Sequence, residues 1–277
     1  MILQKEVKRY KMIFIQILLV LSSLLIFVPP LIVFLNAFKS IPEAALFNLV
    51  LPKTWHFENF ITVFNEVDVF TSLFNGLQYS ALTAAGVIVL CSMCSFALAR
   101  NKRKVYTKVY YFFIIGLVLP FSVIPTIWIT KILHVYGTKT GLILLYIALN
   151  MPFTIFMYTG FIKTINRELD EAAIIDGCGS NMLFFRIIFP LLKPVTITVA
   201  LLTGIGIWNE FFLQLYFTSY SKMWGMPISI YKFFSLYSRH WNLVCADIVI
   251  SSTPIIILFF VFQKYIVTGM VAGAVKG

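Results

Sequence analysis

Four stretches without a single Asp, Glu, Lys or Arg, residues 12–38, 69–99, 109–130 and 140–162, each exceed the roughly 20 residues that a helix needs to cross bilayer hydrocarbon. Two shorter charge-free runs, 194–209 and 248–263, extend through weakly polar flanks to about residue 217 and back to about residue 243. The pattern predicts an all-α membrane protein with six spans, at 12–35, 73–99, 109–131, 141–162, 195–217 and 243–263. The intervening loops are 36–72, 100–108, 132–140, 163–194 and 218–242, and the tails are 1–11 and 264–277. Composition agrees, because only 12% of the chain is charged and its mean hydropathy is +0.91. A water-facing domain carries about 25% charged residues, so an ordinary soluble enzyme and a disordered tail are excluded. Four cysteines, mostly inside apolar runs, do not make a disulfide scaffold.

The chain holds 22 basic and 11 acidic residues, and the position of the excess matters more than its size. With the N-terminus inside, inner segments carry Lys5, Lys8, Arg9, Lys11, Arg100, Lys102, Arg103, Lys104, Lys108, Lys163, Arg167, Arg186, Lys193, Lys264 and Lys276. The outer side carries Lys39, Lys53, Lys131, Lys139, Lys222, Lys232 and Arg239. Fifteen against seven puts both termini in the cytoplasm by the positive-inside bias. The charge is thus a topology signal with secondary attraction to lipid headgroups, and nucleic acid is not an expected partner. The basic start followed by apolar residues resembles a signal peptide. Its apolar run is longer than a signal core and lacks a small-x-small cleavage site, so it reads as an uncleaved first helix.

The external loop 36–72 holds Pro42, Pro52, Trp55, His56, Glu58 and Asn59, and fits a small cap, a docking surface or a solvated connector equally. In loop 218–242, Trp224 and Trp241 suit the aromatic belt at the membrane interface. The inner segment 163–194 differs in kind. Asn166 stands ready to cap a helix whose first turn gathers Glu168, Asp170 and Glu171. Gly177 and Gly179 end that helix, and a second one from about Asn181 presents Phe184, Phe185 and Ile188 before Pro190 stops it. Aromatics on a water-facing loop form a patch that calls for a partner.

Other constellations carry little. Cys91 and Cys94 lack the further ligands of a zinc site and read as small packing residues. His56, His134 and His240 are scattered, and no metal or catalytic residues are expected. The chain has no Gly-x-x-x-x-Gly-Lys-Ser/Thr loop with which to cradle nucleotide phosphates.

Glu171-Ala172-Ala173, Gly177 six residues after the glutamate, then Ile187 and Pro190 match the EAA pattern of ABC importer permeases, with Phe189 in place of the usual leucine. Glu168-Leu169, Ile175-Asp176-Gly177 and the ending Ala272-Gly273-Ala274-Val275-Lys276-Gly277 are similar to the carbohydrate branch, with Asn166 where that branch often has proline. The resemblance implies the type I importer permease fold and a transport subunit that is not itself an enzyme. It implies a second permease chain, two cytoplasmic ATPase subunits and an extracellular solute-binding protein delivering a sugar, expected to be an oligosaccharide. ATP and Mg would sit on the ATPase, and this chain would bind no cofactor. The EAA loop would couple the two: Glu171 making a polar contact, Ala172, Ala173 and Pro190 completing the motif, and Gly177 forming the turn. Phe184, Phe185 and Ile188 are the candidates for the apolar docking face. An importer permease for another polar solute, such as an amino acid, is the alternative.

Ionisable groups inside a membrane usually face a cavity or a partner. Glu210 lies about 22 Å along the predicted fifth helix at 1.5 Å per residue. Thr196, Thr203, Glu210 and Gln214 recur at helical spacing on one face, beside Trp208 and Asn209, and Asn150, Thr154 and Tyr158 repeat every four residues in the fourth. Thr203, Trp208, Asn209, Glu210, Gln214, Asn150 and Tyr158 are therefore candidates for a solute path, and equally for interhelical bonding to the partner permease. The predicted orientation is checked by thiol labelling in a cysteine-free background. A cysteine at position 53 should react with a membrane-impermeant maleimide on intact cells and one at position 104 only after permeabilisation; the reverse pattern inverts the topology.

Overall fold

The computed structural model describes the backbone of residues 2–234 and 240–274 and the side chains of residues 12–234 and 240–260. Arg239, Lys276 and the last residues of the 272–277 ending lie outside the described residues, as do the side chains of Lys5, Lys8, Arg9, Lys11 and Lys264. Among the described residues the chain is helical and has no strand; Gly137 and Thr218 form an isolated bridge. It divides into two compact units, Met1–Asp68 with Ile230–Thr253, and Val69–Ser229 with Pro254–Gly277.

The first unit begins with α1 (Ile2–Asn36), whose most apolar window is wholly unburied. The residues after it fold around an aromatic cluster. The Phe38 ring lies 4.9 to 5.3 Å from the rings of Phe34, Trp55, Phe57 and Phe60. Asn59 donates to the carbonyls of Ala37 and Lys39 at 2.9 and 3.0 Å and accepts from Asn242 at 2.9 Å. Lys39 is buried, and its Nζ donates to both the backbone and the side-chain oxygen of Asn48 at 2.9 Å. Burial draws its ammonium below the ordinary lysine value, and Glu43 opposes the shift.

The second unit is built on α2 (Val69–Arg100). Ser72, Gly76, Ser80, Thr83, Val87, Cys91, Ser95 and Leu98 are partly or wholly buried along it at three- and four-residue spacing, giving one face of mostly small side chains. That face lets neighbouring helices approach closely. A methyl group on Gly76 would come within 3.2 Å of the Trp208 ring, so the indole packs almost onto the α2 backbone.

Where the sequence pattern predicts one unbroken helix at 109–131, the structure has two, α3 (Lys104–Val118) and α4 (Val123–Ile132). Pro120 is the reason: the preceding Leu119 is forced into an extended conformation, φ −71° and ψ 128°. Next come α5 (Lys139–Ile162), α6 (Glu168–Ile175) and α7 (Ser180–Leu191), which meets α8 (Lys193–Trp208) at a bend of 74°. The predicted fifth helix at 195–217 is likewise interrupted, α8 ending at Trp208 and α9 (Phe212–Phe217) restarting beyond Phe211. Finally α10 (Trp241–Ala274) passes from the first unit into the second, with Pro254 inside it.

Among the described residues, Met12–Asn36, Val69–Arg100, Lys139–Ile162 and Trp241–Phe260 are long and apolar enough to cross a membrane, and α7 and α8 pass the same test only when taken together across their bend. In this loop, Lys39→Ala leaves two Asn48 oxygens without their donor, a loss of about 1–3 kcal/mol. Tryptic cleavage at the exposed Lys53 should therefore accelerate, read by mass spectrometry of the fragments; an unchanged rate would remove Lys39 from the loop's support.

Candidate functional site

The 163–194 segment forms an elbow. Asn166 opens α6, its Oδ1 accepting from the Glu168 N–H at 3.2 Å while its amide donates to the Glu168 carboxylate at 2.8 Å. Glu168, Asp170 and Glu171 then occupy the first turn, beside the positive end of the helix dipole. At the other end Gly177 adopts φ +83°, a left-handed conformation natural to glycine. The Gly177 N–H bonds to the Ile174 carbonyl at 3.0 Å and the Cys178 N–H to Ala173 at 2.9 Å, the two bonds of a Schellman stop. A methyl group at Gly177 would meet nothing within 4 Å, so the glycine is required by backbone angle and not by crowding.

In α7 the sequence reading needs correction. Pro190 does not stop the second helix, which continues to Leu191. A π turn over Leu183–Ile188 widens the coil just before the proline, where a regular α-turn would press its ring against the carbonyl four residues back. Phe184 and Ile188 do not lie on an outward docking face either. They are 4% and 0% exposed, packed with Leu98, Ala99, Ile155, Ile162 and Ala173. Phe184 and Phe185 are adjacent and so point in different directions, and only Phe185, 54% exposed, faces out. The outward apolar surface consists of Leu169, Ile174, Ile175, Met182 and Phe185, with Ile175 at 85% exposure. Glu171, Ala172 and Pro190 are exposed beside it, and Ala173 is buried.

One acid of the first turn points inward. Asp170 Oδ2 lies 2.6 Å from Arg100 Nε, and Arg100 Nη2 donates to Oδ1 at 3.2 Å. No charge-free run or motif singled out this pair, since the two residues are 70 positions apart.

The polar groups of the bundle are also rearranged from the sequence expectation. Glu210 does not extend a stripe along one continuous helix, because it sits in the break between α8 and α9. Its carboxylate accepts from the backbone N–H groups of Leu213 and Gln214 at 2.7 and 3.3 Å and from the Tyr146 hydroxyl at 2.9 Å. It thereby caps α9 and joins it to α5. Gln214 is buried; its amide donates to the Glu210 carbonyl at 2.7 Å, and its oxygen accepts from the Gly225 N–H at 2.6 Å. Tyr158 is buried and donates to Thr196 Oγ1 at 3.0 Å, and Asn150 donates to its own helix at the Tyr146 carbonyl. Thr203 is buried as well. Trp208 borders a recess of about 280 Å³ whose other walls include Leu77, Ala200, Gly204 and Phe259. That lining is mainly aliphatic and aromatic, unlike a surface for hydroxyl groups. Asn209 alone of the seven path candidates is exposed.

Sequence reading missed Tyr146, Asn75 and Tyr79. Asn75 donates to the carbonyls of Lys222 and Trp224 at 2.9 and 3.0 Å, accepts from Lys139, and is followed one turn later by Tyr79, whose hydroxyl donates to Met223 at 2.7 Å. An Asn and a Tyr four apart within an apolar run were the available signal. Among the described residues, no group of three or more His, Cys, Asp or Glu is placed to hold a metal ion.

The chain belongs to the family described as binding-protein-dependent transport system inner membrane component, which matches residues 91–272. It is 34% identical over 273 residues, 98% of either chain, to the "Probable starch degradation products transport system permease protein AmyC" of Thermoanaerobacterium thermosulfurigenes. It is 32% identical to the melibiose/raffinose/stachyose import permease protein MelC of Bacillus subtilis, covering 82% of this chain and 84% of that one. The fold is that of a chain in a bacterial ABC transporter involved in the import of the acidic polysaccharide alginate, at a TM-score of 0.82 and 20% identity, covering 93% and 96% of the two chains. A second alginate transporter structure, in complex with an alginate pentasaccharide-bound periplasmic protein, matches at a TM-score of 0.65 and 17% identity over 96% and 94%. The protein is thus an inner-membrane transport component of the type I importer permease fold.

The geometry gives Glu210 a capping role whose loss should cost about 1–2 kcal/mol. Glu210→Ala should lower the melting temperature of the detergent-purified chain, and Glu210→Gln, which keeps an acceptor, should recover most of it. Equal melting of all three would show that the carboxylate is not structural.

Proposed function

We propose that this chain is the transmembrane subunit of an ATP-driven importer that admits an oligosaccharide delivered by an extracellular solute-binding protein. The observation that carries the reading is the elbow. Its inner side is fused to the helix core, while Glu171 and the apolar side chains of Leu169, Ile174, Ile175, Met182 and Phe185 are exposed. Such a surface suits an ATPase cleft, and the sugars named for the relatives support a saccharide as cargo.

In this reading the chain crosses the membrane six times with both termini in the cytoplasm. The third crossing is made by α3 and α4 in succession, and the fifth by α8 with α9. A second permease chain completes the translocation path, and two ATPase subunits hold ATP and Mg. This chain binds no nucleotide or other cofactor. ATP binding closes the ATPase pair, the elbows move with it, and the bundle alternates between outward and inward openings. That exchange is driven only by the difference in affinity of nucleotide and loaded binding protein for the two states. Asn209 and the half-buried Glu210, at the break between α8 and α9, are the groups best placed to meet hydroxyls. Thr203, Trp208, Gln214 and Tyr158 serve packing within the chain.

Gly177→Val tests the reading in the complete transporter. Valine at φ +83° is strained by about 1–2 kcal/mol or more, enough to unwind the Schellman stop. ATP-dependent sugar uptake into proteoliposomes should fall about tenfold or more, in the range of allosteric couplings, with the binding protein's own sugar affinity unaltered. Wild-type uptake in this variant would remove the elbow from the mechanism.

A further inference from the structure

The same elbow carries an ion pair that the coupling motif does not include. Arg100 is the last residue of α2, and it meets Asp170 through a close ion contact, Nε to Oδ2 at 2.6 Å, and one hydrogen bond, Nη2 to Oδ1 at 3.2 Å. Its third nitrogen, Nη1, donates to the carbonyl of Ile165 at 3.2 Å. From the opposite direction Arg167 Nη2 donates to the carbonyl of Ala99 at 3.3 Å, at the negative end of the α2 dipole. Each element thus grips the other with an arginine. The paired side chains of Arg100 and Asp170 are only 12% and 13% exposed, whereas Glu168, Glu171 and Asp176 on the same segment are all exposed.

Apolar packing already holds the elbow to the core, through Ala173, Leu183, Phe184 and Ile188 against Leu98 and Ala99. The hydrophobic term in that packing is non-directional. A guanidinium held by one close ion contact and by hydrogen bonds to Asp170 and Ile165 has its distance and orientation set, which is what transmission of a displacement requires. The far end of α2 is fixed too, since Asn75 and Tyr79 hold the carbonyls of Lys222, Met223 and Trp224.

Resting on the importer reading, we propose that Arg100 and Asp170 are a positioning pair that locks the coupling helix α6 to the end of α2, so that motion imposed at the ATPase reaches the external 222–224 loop through one continuous helix. The pair touches neither nucleotide nor sugar. Its action is to keep α6 and α2 in fixed register while the complex changes state.

The test uses the complete transporter, with its ATPase subunits and binding protein, in proteoliposomes. Asp170→Asn keeps the side-chain shape and removes the charge, and the doubly exchanged variant Arg100→Asp with Asp170→Arg restores a pair of opposite sign. Sugar moved per ATP hydrolysed should fall about fivefold or more in Asp170→Asn, the lower end of allosteric couplings, and return to within about twofold of the unmodified value in the exchanged variant. An unchanged ratio in Asp170→Asn overturns the proposal. So does an exchanged variant that assembles but stays uncoupled, or loss of ATPase co-purification in both variants, which would make the pair a fold support only. Failure of the importer reading would appear elsewhere, as an absence of ATP-dependent uptake by the unmodified complex.

Discussion

A backbone N–H or carbonyl in hydrocarbon has no water to bond, so a chain this apolar is helical wherever it crosses and must repair every place where a helix stops. The interruptions in the second unit illustrate the requirement. At the break after Trp208 the repair is a carboxylate, with Glu210 accepting the first free N–H groups of α9. At Pro120 the proline itself removes one donor, and Pro125 falls in the first turn of α4, where a missing N–H costs no intrahelical bond. Before Pro190 the coil widens into a π turn. The polar residues of the spans are therefore bound first to the needs of the backbone and of neighbouring helices, and only what remains is free for a solute.

This explains which features were legible in the sequence. Helicity and family membership follow from long charge-free runs and from the Glu171 to Pro190 spacing, because bilayer thickness and the family's motif each impose a length. Gly177 was legible for the same reason, since a left-handed helix stop has few alternatives. The break after Trp208 was not, because no proline marks it and an apolar run looks the same whether its helix is whole or interrupted, whereas Pro120 does mark the break between α3 and α4. Glu210 shows the cost of that ambiguity. On an unbroken helix it would share a face with Thr203; in the break its carboxylate turns along the chain axis to cap the next helix.

The elbow fails to be legible in a different way. Phe184, Phe185 and Ile188 are equally apolar, and nothing in their order says which faces the bundle and which faces outward. The decision is made by α2 and α5, whose ends bury Phe184 and Ile188 and leave Phe185 outside. Likewise Asp170 and Glu171 are neighbours of the same chemistry, and only the position of Arg100, fixed by the length of α2, draws one of them inward.

The length of α2 has a mechanical meaning. Thirty-two residues at 1.5 Å each make a rod of about 48 Å. A rod turned at one end converts angle into distance along its length. From Arg100 to Tyr79 and Asn75 the helix runs about 32–38 Å, so a tilt of about 5° moves that grip by about 3 Å, the length of a hydrogen bond. The grip of Asn75 and Tyr79 on the 222–224 loop would then either carry the loop along or let go. A small rotation at the Arg100 end of α2 is thereby enough to break or remake contacts near its other end without unwinding a single turn in between.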